Sequence, residues 1–399
     1  MRYVLPTLEQ GSRSRELRLA FVAAVVSLTA AFAASAVPVP LFNLYRAEDG
    51  FTHPDISRAV GVYALGTLAA LLVTGRLSNH LGRRPVAMAS LGLLLVGCLL
   101  LLDVHDAGTL LLARGLMGLG TGMASSNVTA YIVDTTPARP AWLASVTSSQ
   151  TPMFGLAVGA VASGALVQLA PWPRQLVYIV AIGALLLSAA LIAMSPETVA
   201  STPGAGRSLR PSVGVPPTIR HLLPGATAVF VATWATGAFY QAFVPALVEE
   251  QLHTHSPLIP GLAFAAYMAP SAMGAPLGDR LRPAVAQRTG MVGFLAAMVG
   301  ILTATVTADL ALFFTATVLA GVSQGVALSA TTRGLLRAST LAERAPIFSV
   351  IYLICYSAAA FPSLVAGQLS GTLSLPHITL GYGALALVST VVTLVATTP

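Results

Sequence analysis

Arg114 stands deep inside a long apolar run, the only arginine of this chain so placed. A guanidinium keeps its proton at any physiological pH, and at the centre of a membrane helix it costs at least about 2.5 kcal/mol. Such a residue is expected to face a bundle interior or a wet cavity and to have a partner. The competing reading is a structural cation held by carbonyls or reaching for the outer end of its helix. Around it, apolar runs carry neutral polar and aromatic side chains: Asn43, Ser126, Asn127, Tyr131, Gln150, Trp234, Tyr240, Gln241, Tyr267, Gln324, Tyr352 and Tyr356. Lining a cavity, these would suit an uncharged or amphiphilic organic molecule. Helix–helix hydrogen bonds account for part of such a set.

Other chemistries lack their residues. The sequence has no His-Glu-x-x-His helix, no Gly-x-Ser-x-Gly elbow and no lysine for a nucleotide-binding loop, so an enzyme is not expected. Glu249 and Glu250 with His253 and His255 read as a solvated loop rather than a metal site, and no cofactor is expected. Cys98 and Cys355 both lie in apolar segments, which implies no disulfide framework.

The elements that must position these residues are membrane helices. Of 399 residues 55% are hydrophobic and 9% charged, well below the roughly 25% charged of a soluble domain. Runs of about 20 apolar residues predict twelve spans, near 19–42, 56–74, 85–103, 108–133, 140–168, 175–195, 221–248, 257–277, 288–307, 309–333, 345–369 and 376–396. The first continues past the small-residue stretch Ala34-Ser35-Ala36 and is read as an uncleaved span. Spans nine and ten divide at Asp309 only because their combined length is too great for one crossing. With both termini in the cytoplasm, seventeen of the 21 arginines fall inside, and only Arg46, Arg58 and Arg174 fall outside. The net charge of +7 therefore reflects membrane topology, and no nucleic acid is expected as a partner.

The segment 196–220, rich in proline, glycine and arginine, reads as a cytoplasmic linker between a six-helix unit at 1–195 and another at 221–399. After span two comes Gly75-Arg76-Leu77-Ser78-Asn79-His80-Leu81-Gly82-Arg83-Arg84, and after span eight a shorter echo around Gly278-Asp279-Arg280. Gly118, Gly120 and Gly122 in span four are echoed by Gly321 and Gly325 in span ten. Gly82 permits a tight reversal, and the two arginines anchor the loop on the cytoplasmic face.

The loop 75–84 closely resembles the signature between helices 2 and 3 of the major facilitator superfamily. Gly75, Leu77, Ser78, Gly82, Arg83 and Arg84 match it, while Asn79 stands where that family usually has aspartate. Arg114 followed by the glycines of span four resembles the family's second motif, which implies a role near proton or substrate transfer. Residues Gly155 to Gly164 look like a degraded antiporter motif, with Ala160 in place of its proline. The resemblance implies an all-α integral membrane fold of twelve transmembrane helices in two six-helix bundles, close to the drug and metabolite exporter branch. It implies a secondary transporter that moves a small organic molecule by alternating access, in the direction of export, with an uptake transporter or facilitator for a small metabolite as the alternative, a membrane-embedded enzyme or non-transporting receptor as remote ones, and proton exchange left open. It also implies a conformational latch of Gly75, Leu77, Asn79, Gly82, Arg83, Arg84, Asp134 and Asp279, with Asp134 pairing Arg83 or Arg84 when the inside is closed. The expected surroundings are the lipid bilayer of the cytoplasmic membrane.

Overall fold

Long apolar runs punctuated by capping residues fold as helices throughout the computed structural model, which describes residues 5–137, 139–140, 143–211, 214–340 and 343–397. Arg2 and the side chain of Arg13, both expected on the cytoplasmic side, lie outside the described residues. The first six long helices are α1 (Leu5–Ala36), α2 (His53–Thr74), α3 (Arg83–Leu101), α4 (Ala107–Thr135), α5 (Leu143–Leu169) and α6 (Leu176–Met194). The second six are α7 (Leu223–Ala242), α8 (Leu258–Met268), α9 (Pro283–Thr307), α10 (Leu310–Arg337), α11 (Arg344–Leu369) and α12 (Leu375–Ala396).

Several helix starts follow from local chemistry. Thr52 and Asp55 form a reciprocal capping box at α2. Asp106 Oδ1 accepts from the Thr109 amide at 2.9 Å at α4, and Asp309 Oδ1 accepts from the Leu312 amide at 3.0 Å at α10. The division at Asp309 is thus a two-residue turn, with Ala308 left-handed at φ 54° as the C-cap of α9.

Among the described residues eleven helical segments are long and apolar enough to cross a membrane. The remaining long helix, α4, has 29 residues, roughly 44 Å at 1.5 Å per residue, which is also sufficient to span. Its lower hydropathy comes from Arg114, Thr121, Asn127 and the glycines Gly118, Gly120 and Gly122, which are buried against α2, α3 and α1 rather than turned to lipid. Large apolar side chains such as Met194 and Val306 are instead exposed on the outside of the bundle, where hydrocarbon covers them.

Three predicted spans are interrupted. The first helix stops at Ala36, because Pro38 and Pro40 withdraw backbone donors, and resumes as Phe42–Asp49. The seventh breaks at Phe243, two residues before Pro245, and continues as Val244–Glu250. The eighth turns into a tighter 3-10 segment at Ala269–Met273, which contains Pro270, before Gly274–Gly278.

The repeat seen in the sequence has a packing counterpart. On α4, a Cβ at Gly118 would lie 2.2 Å from the Tyr63 carbonyl oxygen, and one at Gly122 2.5 Å from that of Thr67. On α10, a Cβ at Gly321 would lie 2.6 Å from the Tyr267 oxygen, and one at Gly325 2.2 Å from that of Ser271. Glycine is required at both places because α4 lies directly on α2, and α10 directly on the α8 segment.

The two sets of six helices meet chiefly along α2 with α11 and α5 with α8. Their polar links lie away from the end that carries the chain termini. Asn43 Nδ2 donates to the Pro245 carbonyl at 2.7 Å, Arg46 pairs with Glu250 at 2.9 Å, and Ser256 Oγ donates to Gln168 Oε1 at 2.5 Å.

Candidate functional site

Between the two sets of helices lies a cavity of about 280 Å³. Its first wall comes from α1, α2, α4 and α5 through Phe32, Tyr63, Ser125, Thr129, Ser148, Ser149 and Met153. The facing wall comes from α7, the α8 segment, α10 and α11 through Thr233, Trp234, Gln241, Met268, Ser271, Gln324, Tyr352 and Tyr356. Ser125 and Thr129 lie toward the C-terminal end of α4 and Ser148 and Ser149 toward the start of α5, so the cavity extends toward the end bearing the termini. Among the described residues its lining holds aromatic, thioether, hydroxyl and amide groups, and no charged side chain. Trp234 meets Tyr356 edge-on with centroids 4.7 Å apart.

Two hydrogen bonds tie the wall to Tyr267 behind it. Gln324 Nε2 donates to the Tyr267 carbonyl at 3.0 Å, and the Tyr267 hydroxyl donates to the Thr233 carbonyl at 2.8 Å. Tyr240 stacks on Tyr267 with centroids 4.5 Å apart and bonds Thr317 at 2.7 Å. It belongs to the packing behind the wall.

Arg114 is fully buried behind the cavity's roof, which Tyr63 and Gln241 form. Its Nη1 donates to the Ser35 carbonyl at 2.9 Å, and its Nη2 reaches Gln241 Oε1 across the interface at 3.4 Å. The guanidinium carbon lies 4.4 Å from the centroid of the Tyr63 ring. Nε has no hydrogen-bond partner among the described residues. Tyr63 and Gln241 both line the cavity, so one layer of side chain separates this charge from it.

The remaining residues expected along a pathway are seated elsewhere. Asn43 bridges to Pro245 at the far end, Asn127 Nδ2 donates to the Arg83 carbonyl at 2.9 Å, and the Tyr131 hydroxyl donates to the Pro196 carbonyl. Gln150 points beside the cavity, its Nε2 on Ser149 Oγ at 3.2 Å. For Asn43, Asn127 and Tyr131 a carbonyl of another segment captures the polar group, whereas Gln150 bonds its neighbour on the same helix.

The loop between α2 and α3 forms a compact cluster at the termini end. Arg83 Nε donates to Asp134 Oδ2 at 2.8 Å, and its Nη1 to Ser78 Oγ at 2.6 Å and Asn79 Oδ1 at 2.8 Å. Asn79 thus still accepts from the arginine as a neutral group. Gly82 adopts φ 97°, a conformation closed to side-chain-bearing residues, and a Cβ there would lie 2.7 Å from Glu197 Oε2. Glu197 caps α3 by accepting from the amides of Arg83 at 2.7 Å and Arg84 at 2.9 Å. Arg84 also donates to the Ala193 carbonyl. Gly75 and Leu77 lie in the turn leading into this cluster. In the second set of helices Asp279 pairs with Arg333, which also donates to the Gly278 carbonyl at 3.0 Å.

Glu197 escaped sequence reasoning because it lies in a segment read as linker. Ser125, Thr129, Ser148 and Ser149 escaped it because small hydroxyl residues are common in membrane helices. The run Thr147-Ser148-Ser149-Gln150-Thr151 ahead of Pro152 was the available signal.

Comparison with known proteins shows the same architecture and a family. Residues 19–361 match the Major Facilitator Superfamily. The multidrug resistance protein MdtL of Klebsiella pneumoniae is 30% identical over 90 residues, 22% of this chain and 23% of that protein. The quinolone resistance protein NorA of Staphylococcus aureus is 27% identical over 101 residues, 25% of this chain and 26% of its own length. The chain thus spans about a quarter of the length of these curated relatives in the matched stretches. The crystal structure of a bacterial homologue of the human lysosomal transporter Spinster, inward-facing and unoccupied, superposes with a TM-score of 0.78 at 15% identity, covering 96% of this chain and 97% of that one.

Proposed function

The chain belongs to the Major Facilitator Superfamily of secondary transporters, and from that premise we propose that it exports a small organic molecule by alternating access through the central cavity. As a transporter of that family it is not an enzyme. The observation that carries the reading is the position of the cavity between the two helix sets, sealed on one side by inter-set contacts and extended toward the other. Two units, 1–195 and 221–399, rock about the interface with 196–220 as their tether.

The arginine bias supports placing both termini in the cytoplasm of a cell whose cytoplasmic membrane holds the protein. On that orientation the state described is inward-facing. Export is supported by the names of the partial relatives, which concern drug resistance. The aromatic and amide wall fits a flat, largely apolar cargo with a few hydrogen-bonding groups. Arg114, Trp234, Gln241, Gln324, Tyr352 and Tyr356 are the pathway residues this reading favours.

Sided flux from oriented proteoliposomes tests it. Movement of small aromatic compounds from the termini side outward supports export, and movement only in the opposite direction replaces export with uptake. Comparison with and without an imposed proton gradient decides whether protons are exchanged.

A further inference from the structure

Arg114 is a fully buried cation, and among the described residues it has no carboxylate partner. Its nearest charge-compensating groups are a backbone carbonyl, the Tyr63 ring face and Gln241 Oε1 at the long distance of 3.4 Å. One of its three nitrogens, Nε, bonds nothing among the described residues. A charge taken out of water in this way is left with strong unspent attraction for an anion, because little solvent screens it. The groups between it and the cavity are neutral.

We propose that the roof of the cavity, where Gln241 meets Arg114, is the site that receives the acidic group of an aromatic anionic cargo, such as a carboxylate or sulfonate. The proposal rests on the transport reading above and deepens it. Gln241 Oε1 occupies the place of an anionic oxygen as a neutral substitute, and a cargo carboxylate displaces it to bond the guanidinium directly. The aromatic body of the cargo then lies below, against Trp234, Tyr352 and Tyr356. A lipophilic cation has the opposite fate: the wall offers it no carboxylate, and Arg114 repels it. Because Arg114 is on α4 and Gln241 on α7, the acidic group is held at the junction of the two helix sets, where its binding weighs on their relative position.

The test uses three probes on one naphthyl body: the isosteric pair 2-naphthoate and 2-naphthamide, and the bulkier cation trimethyl(2-naphthyl)ammonium. Binding to the full-length protein in detergent is measured by equilibrium dialysis, and flux in proteoliposomes. The expected result is naphthoate binding about tenfold tighter than naphthamide, the gain from a charge-assisted over a neutral hydrogen bond, with the ammonium weakest. Arg114→Gln should equalise naphthoate and naphthamide. Gln241→Glu is the second variant, since it supplies the missing carboxylate internally and should abolish the naphthoate preference while leaving a folded protein. Equal binding of the acid and the amide in the wild type, or a naphthoate preference that survives Gln241→Glu, overturns the inference. Preferred transport of the ammonium overturns it while leaving the transport reading intact. Failure of all three to bind or move overturns both.

Discussion

Arg83 Nε and Asp134 Oδ2 meet at 2.8 Å, joining the start of α3 to the end of α4 within the first set of helices. The pair forms with the cavity extended toward this same end, so closure of that end is not required for it. It braces the first six helices rather than bridging to the other six. Asp134→Asn is therefore expected to lower thermal stability by at most about 1 kcal/mol, since both side chains retain some solvent contact, and to leave the balance between conformations unchanged. Melting in detergent, together with spin-label distances across the termini end, checks both parts.

Gly82 predicts a larger effect. With φ at 97° and Glu197 Oε2 only 2.7 Å from where a methyl group would stand, Gly82→Ala strains the backbone and displaces the carboxylate that caps α3. The expected cost is about 1–3 kcal/mol, with flux per inserted molecule falling more than abundance. Glu197→Gln should reproduce only the loss of charge at the helix start, roughly 0.3–1 kcal/mol. Thermal melts of both variants beside the wild type give the comparison.

The far side should respond differently. Arg46 and Glu250 come from opposite helix sets, and His53 Nε2 lies 3.5 Å from the same carboxylate oxygen. Glu250→Gln should change overall stability by no more than about 1 kcal/mol but shift the population toward opening on this side. Spin labels at Ala47 and His255 should report a longer mean distance in the variant. An unchanged distribution removes this pair from the gate.

His105, in the loop between α3 and α4, is hydrogen-bonded to Asp49 at 2.6 Å and to Asp103 at 3.0 Å. These hydrogen bonds raise its pKa above the ordinary value of 6.5. A raised value means that the ion pairing stabilises fully below about pH 6.5 and is lost as pH rises through the folded-state value. The melting difference between wild type and His105→Gln should accordingly be largest at mildly acidic pH, where the aspartates keep their charge, and vanish in alkaline buffer. Melting curves across that range are the check.

Much of this architecture was legible because bilayer physics leaves few choices. Twenty apolar residues must be a helix, and an arginine inside one must face the interior, as Arg114 does. The two-residue turn at Asp309 was forced by length alone. What stayed hidden was rotation about each helix axis. Asn127 and Tyr240 sit in apolar runs just as Gln324 and Tyr356 do, yet the first two face neighbouring segments and the last two the cavity. Composition cannot distinguish those faces when polar residues satisfy carbonyls equally well on either. The breaks at Phe243 and Ala269 were signalled by Pro245 and Pro270, but a proline in a membrane helix is compatible with either a kink or a stop.

The central claim is that one cavity serves both sides of the membrane in turn. Ser125→Cys and Ser271→Cys place thiols on its facing walls, and the native Cys98 and Cys355 are buried. A membrane-impermeant maleimide applied from the termini side should modify both engineered thiols rapidly and stop flux. Applied from the far side it should react slowly, and faster when Glu250→Gln is added. Modification of both thiols with undiminished flux, or equal reaction from either side that Glu250→Gln does not alter, would contradict the account.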